Sequence, residues 1–459
     1  MVAWLMPFAL LPKTYTYFFF DSFAQLAVLI FSMYIMVKIY LQPAQLQTVL
    51  PKTNTLRLWG VFVVVQLILM AYQSFVVGDT KQIYGLLHGL VSFIQMILVI
   101  WIAYTVQKMA IQRYEDAVKF VKSVMISLIV YIVVIVLPQI AFIDGAFWLS
   151  HIINPIAGLF ERHWLDRNFY DNGSYVATLW RVNGLEPEAS FLALLLGLTF
   201  SPLLIMIAEE PLKNFKNRKW LFWLTWALLA IIVVILFMAK TTTGFLMIGL
   251  LAVAYWFAAP RKQKLFIAGG VVIALIAVAA AYQFVPSVNA MLNQWLFQKG
   301  GTDNRLGGTI GLIGAWLHHP LFGVGYGYEG HYIVQNLPEW SKNNAEYMDV
   351  YKNQSYPILN DVVGWLARYG VIFVLIGFWL LLGLITRAVK TLGRLKQSAS
   401  DHVMFYRVMI KSFLVTVAIT IVTAGITPAN ATSWPMLLML FFYWRVVHLA
   451  EDELQNEGI

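Results

Sequence analysis

Cysteine is absent from this 459-residue chain. Disulfides, thiolate metal sites and cysteine nucleophiles are thereby excluded. Charge is nearly as scarce: 12% of residues are charged against 60% hydrophobic, and mean hydropathy is +0.71. A soluble domain of this size needs more polar surface, and apolar runs of about 18 residues or more recur from end to end. The interiors of those runs hold no aspartate or glutamate, which weighs against proton-coupled transport. No Asp-x-Asp or His/Asp cluster with metal-ligand spacing occurs on the outward side defined below, so neither a divalent cation nor another cofactor is expected. The opening MVAWLMPFALLPKTYTYFFF lacks a basic n-region and a small-residue cleavage site, unlike a removable signal peptide. What remains is an all-α, polytopic transmembrane helical bundle, expected as one integral membrane domain over 1–459.

Hydropathy places spans near 23–41, 58–77, 84–106, 123–143, 189–208, 220–239, 244–259, 265–284, 361–386, 410–424 and 435–450. Four basic clusters fall on one side of these spans. They comprise Lys108, Arg113, Lys119 and Lys122; Lys213, Lys216, Arg218 and Lys219; Arg261, Lys262 and Lys264; and Arg387, Lys390, Arg394, Lys396, Arg407 and Lys411. The positive-inside rule makes that side cytoplasmic. The formal charge of +9 then divides into about +12 inside and about −3 outside. The basic excess is a topology and lipid-surface signal, not a nucleic-acid footprint. Eleven spans put the N-terminus outside, and a twelfth within 1–20 puts it inside. The long segments 144–188 and 285–360 face outward. In the first, Trp148, Ile152, Ile156, Leu159, Phe160 and Trp164 are spaced for one apolar face, either of an interfacial helix or of an ordinary packed one.

Four polar stretches carry potential chemistry. In NRLGGTIGLIGAWLHHPLFGVGYG, Thr302 or Asp303 caps a helix running to about Leu317. Arg305, at its start, suits either a phosphate or a salt bridge to Asp303 or Glu188. His319 is a catalytic candidate or a carbonyl cap, and Gly323, Gly325 and Gly327 form a turn whose amides can face a ligand. RVNGLEPEAS, residues 181–190, leads into a span and places Arg181 and Glu188 at the membrane edge. That is a headgroup site or an internally paired anchor. Lys240, beside Thr241–Thr243, opposes the basic-inside bias and is a second cation or a snorkelling side chain. Aromatics across 285–360, Trp316 and Tyr332 among them, suit sugar faces and interfacial belts equally.

Taken in order, these residues resemble the O-antigen polymerase and O-antigen ligase superfamily. Arg181, Gly184, Leu185, Glu188 and Ser190 match an arginine-glycine-leucine-acidic-serine block entering a span, and Thr241 to Gly244 match a polar turn followed by glycine. Arg305, Trp316 and His319 through Gly325 match an arginine, a tryptophan-bearing helix and His-Pro-Leu-Phe-Gly-x-Gly. Asn360 and Gly370 match the spacing of a His-Asn pair from a glycine that opens the next span. The likeness covers residues 170–385. One departure stands out: the pair's histidine is Leu359 here, which cannot take a proton and favours a polymerase over a ligase.

The resemblance implies a metal-independent glycosyltransferase with a GT-C-like fold in the bacterial plasma membrane, acting on its extracytoplasmic face. Its donor would be a glycan on undecaprenyl pyrophosphate and its acceptor another lipid-linked repeat unit. A chain-length regulator is the protein partner such an enzyme implies, alongside membrane lipid. Without metal, fixed cations must meet the charge of the departing pyrophosphate: Arg181, Arg305, Lys240 and Arg368 are the candidates. Arg368 is alternatively a partner for Asp361. Glu188, His319 and Asp361 are the candidate bases for the acceptor hydroxyl. The alternatives are ligase-type transfer to another acceptor and transport of a lipid-linked glycan.

Overall fold

The computed structural model describes residues 2–10, 26–78, 85–152, 155, 181–186, 188–210, 219–297, 302–344, 347–352, 355–429 and 432–459. Among them there is no strand. Within the described residues, every span expected from hydropathy is helical over most of its length. The helices are α1 (Leu26–Leu41), α2 (Thr53–Val76), α3 (Gly85–Ala110), α4 (Tyr114–Ile143), α5 (Ala189–Glu209), α6 (Lys219–Met238), α7 (Thr242–Ala258) and α8 (Arg261–Phe284). After them come α9 (Thr302–His318), α10 (Glu329–Gln335), α11 (Asp361–Arg394), α12 (Val403–Ile426) and α13 (Trp434–Asn456). Eight are long and apolar enough to cross a membrane; α7 and the described part of α1 are shorter. Most of the expected interfacial helix and most of residues 1–20 lie outside the described residues. The described residues of 285–360 prove mainly helical.

The bundle is built around α5, whose side chains are almost all buried, whereas α8 buries none of its own. A helix that is apolar all round suits both positions, because lipid tails replace protein neighbours at the periphery. Proline shapes two of the inner helices. Wide π-type turns occupy Ile132–Val136 in α4 and Leu195–Phe200 in α5, directly ahead of Pro138 and Pro202. A proline ring clashes with the carbonyl four residues back and offers no N–H, so the preceding turn widens. The Ser201 hydroxyl donates to the Leu196 carbonyl at 2.8 Å, occupying an acceptor that the disturbed ladder leaves over.

At 34 residues, α11 is longer than a bilayer requires, since about 20 residues cross the hydrocarbon. It is broken at Gly370, where φ is +73 and ψ is 170. A Cβ at that position would strike the Leu321 backbone. The remaining stretch, 371–394, is of span length. A small separate core of Leu312, Ile333, Leu337, Tyr356 and Ala367 ties α9 and α10 to the segment ahead of the break.

Candidate functional site

Two buried polar groups near the end of α4 shape the segment that carries Arg181 and Glu188. Gln139 Nε2 donates to Asn183 Oδ1 at 2.7 Å, and Gln139 Oε1 accepts from the Asn183 and Gly184 N–H groups at 3.1 and 2.8 Å. The Tyr131 hydroxyl accepts from the Leu185 N–H at 3.0 Å. Gly184 has φ +59, and a Cβ there would collide with that hydroxyl. Each donor and acceptor is buried, so losing one partner strands another in a low-dielectric interior. The segment is rigid for that reason.

A further bond, from the Val182 N–H to the Met238 carbonyl at 3.3 Å, fastens this segment to the end of α6. Lys240 follows immediately, with φ +47, the one non-glycine residue of positive φ among those described. Such a backbone costs about 1–3 kcal/mol and collects at functional sites. Thr241 caps α7 by accepting from the Gly244 N–H at 2.9 Å. Arg181, Glu188 and Lys240 thus share one end of the bundle. Burial depresses the pKa of the Arg181 guanidinium, and the Glu188 carboxylate partly offsets this. An incompletely hydrated cation interacts with an arriving anion more strongly than an exposed one.

The second half of the site is centred on α9 and α11. Arg305, in the first turn of α9, donates from Nη1 to the Thr427 hydroxyl at 3.5 Å. No carboxylate among the described residues pairs with it. Its neighbour Asn304 exchanges amide hydrogen bonds with Asn344 at 3.0 and 2.8 Å, and its carbonyl accepts from the Tyr356 hydroxyl at 2.7 Å. Asn360 caps α11 by accepting from the Val363 N–H at 3.1 Å, and its Nδ2 donates to the Gly425 carbonyl at 2.8 Å. Asp361 Oδ2 accepts from the Ala429 N–H at 2.8 Å. Arg305, Asn360 and Asp361 therefore all grip the end of α12 and the turn leading to α13.

The same turn meets the first half on its other flank. Phe191, Leu194 and Thr199 of α5 line a small cleft together with Ala429, Ser433 and Met436. Phe191 lies one helical turn beyond Glu188. The turn leading into α13 thus touches α5, the helix that the Arg181–Glu188 segment enters, and is also bonded by Arg305 and by Asp361.

His319 and Arg368 lie outside this cluster. His319 follows the far end of α9, roughly 20 Å from Arg305 by helical rise. Its ring sits edge-on to Tyr332 at 5.0 Å, and the Tyr332 hydroxyl donates to Gln73 of α2 at 2.7 Å. Burial, then the neighbouring His318, lowers the His319 pKa. The expected ligand-facing amides of the glycine turn are already engaged. Gly323 donates to the His319 carbonyl at 3.0 Å, Gly325 to the Arg368 carbonyl at 3.1 Å and Gly327 to Glu329 Oε2 at 2.9 Å. The physical reason is docking into the break of α11. The Val324 N–H donates to the Ala367 carbonyl at 2.8 Å, and the Val371 N–H to that of Pro320 at 2.9 Å. Docking also brings Glu329 to Arg368, so the arginine pairs with Glu329 rather than Asp361 and lies 4.5 Å from the Tyr326 ring centroid.

Sequence reasoning missed three contributors: Gln139, Tyr131 and the polar stretch Thr427–Ala429 that follows α12. A lone glutamine after proline in an apolar run was the available signal for Gln139. Glu186, buried to 1% exposure, was not separated from the partly exposed Glu188. No protein-family model matches the chain, and no curated protein matches it.

Proposed function

We propose that the protein is a polysaccharide polymerase of the bacterial plasma membrane, a GT-C-like glycosyltransferase whose site opens on the extracytoplasmic face. It moves a glycan from undecaprenyl pyrophosphate to the non-reducing end of another lipid-linked repeat unit. One observation carries the reading: Arg305 bonds to Thr427 at the start of the turn into α13, and that turn shares a cleft with Phe191 of α5, the helix entered by the Arg181–Glu188 segment, which is itself tied to Met238 beside Lys240. That arrangement suits a lipid-linked diphosphate held at the membrane edge.

In this reading the acceptor oxygen attacks the anomeric carbon as its bond to the pyrophosphate oxygen breaks. The bonding pair leaves with the pyrophosphate, whose growing charge Arg181 and Arg305 stabilise. Attack from the opposite face inverts the anomeric centre. Glu188 takes the hydroxyl proton: it is partly exposed, begins α5 beside Arg181 and accepts from the Ser190 hydroxyl at 3.2 Å. Asp361, bonded to the Ala429 N–H, orients the turn.

The test is chain extension by purified protein in liposomes supplied with lipid-linked repeat units. A ladder of longer glycans on the polyprenyl carrier is expected. Folded protein that leaves the units unextended overturns the reading, and glycan transferred to a different carrier replaces it with a ligase.

A further inference from the structure

The opposite, basic end of the bundle carries a second charged surface that the polymerase reading does not use. It lies where α6 begins and where α7 turns into α8. The register of the α6–α7 hairpin follows from two ring contacts, Phe237 with Phe245 at 5.9 Å and Trp226 with Tyr255 at 5.3 Å. Counting back along both helices sets Lys219 level with Lys262. Lys219, Arg261 and Lys262 are exposed, and Lys264 lies over the Trp256 ring with Nζ 4.7 Å from its centroid. No carboxylate among the described residues pairs with any of the four. Four other cations at this end are engaged, Arg387 with Glu451, Lys411 and Arg407 with Glu210, and Arg445 with the Ile111 carbonyl, whereas Lys122, Lys390 and Lys396 are exposed but dispersed.

Directly beneath these cations lie exposed aromatic rings. Trp223 and Phe257 are each 68% exposed, and Trp220 is 57% exposed. Such rings stand at the glycerol level of a bilayer, with lysine and arginine heads reaching the phosphate level. Four cations with no carboxylate partner among the described residues, set above an aromatic rim, complement one kind of neighbour: a molecule with an anionic head and apolar tails. We propose that the corner formed by the start of α6 and the α7–α8 turn binds an anionic phospholipid. Lys219, Arg261, Lys262 and Lys264 contact its phosphodiester, while Trp223 and Phe257 pack against its glycerol and acyl region. The corner is about 30 Å from Lys240, one length of α6, so the proposal stands independently of the catalytic reading.

The test is equilibrium binding of fluorescent phosphatidylglycerol and phosphatidylcholine to the full chain in neutral detergent. The wild-type protein should prefer phosphatidylglycerol, and R261Q/K262Q/K264Q should lose tenfold or more of that preference, since each basic residue contributes about 1 kcal/mol of attraction at an anionic membrane surface. Two variants guard against trivial outcomes. The charge-conserving R261K/K262R/K264R should keep the preference, and K122Q/K390Q/K396Q, which removes three exposed lysines elsewhere at this end, should also keep it. Equal loss in the latter means diffuse attraction and overturns the site. Displacement of the lipid by millimolar inorganic phosphate, or no headgroup preference in the wild type, overturns it as well.

Discussion

Gln139 reads Asn183 on both side chain and main chain, offering one carboxamide as donor at 2.7 Å and acceptor at 3.1 Å. This pairing fixes the turn between Arg181 and Glu188 from beneath, while the Met238 carbonyl holds it from the side. Gln139→Ala strands three buried groups, each worth about 1–3 kcal/mol when left unsatisfied. The midpoint of thermal unfolding in detergent should fall, and glycan extension should drop about tenfold or more in the protein that remains folded. Gln139→Glu keeps the acceptor oxygen and should retain more of both.

The break in α11 is the second point of leverage. Gly370→Ala places a methyl group against the Leu321 backbone at positive φ, and a core clash of this kind typically costs about 1–3 kcal/mol. Gly377→Ala, with open space around its Cβ, is the matched control. Thermal melts should show a clear loss for the first and little change for the second.

Arg368 and Glu329 form a largely buried ion pair. Glu329→Ala leaves the guanidinium unopposed, and breaking such a pair costs about 3–5 kcal/mol. Replacing both, as Arg368→Met with Glu329→Leu, should recover much of the loss. A double-mutant cycle on unfolding midpoints measures the coupling. If Arg368 instead contacts substrate, the double variant will be stable but inactive.

His319 gives a pH dependence of defined sign. Burial and His318 lower its folded-state pKa, while the unfolded chain titrates near the ordinary value of about 6.5. The unfolded state therefore binds the proton more readily. The contribution of His319 to stability is present above about pH 6.5 and is lost as pH falls through the lower folded value. Unfolding midpoints recorded from pH 8 down to pH 5 should decline, and less steeply in His319→Gln. His331, also lowered by burial, is expected to leave a residual slope.

The helical spans were legible because hydropathy is summed over many residues, so local errors cancel. Arg181 and Glu188 were legible as charge placed at the entry to an apolar run. Gln139 was not: within a span a lone glutamine looks the same whether it braces a site or fills the core. The stretch from Gly425 to Ala429 resembled a plain connection, and its role arises only when Asn360, Asp361 and Arg305 close on it. The histidine and glycines of 319–327 carried a strong local pattern that the fold uses to fill a helix break. Arg368 and Asp361 are separated by seven residues on one helix, yet tertiary docking supplied a nearer carboxylate.

The central claim is that Arg181 and Arg305 act on one diphosphate, and a double-mutant cycle tests it most directly. Binding of undecaprenyl pyrophosphate would be measured for wild type, Arg181→Ala, Arg305→Ala and the double variant, all confirmed folded. Each single change should weaken binding at least tenfold, with the double falling short of the sum because both cations meet the same ligand. Unchanged affinity in either single variant, or strict additivity of the two losses, would contradict the account.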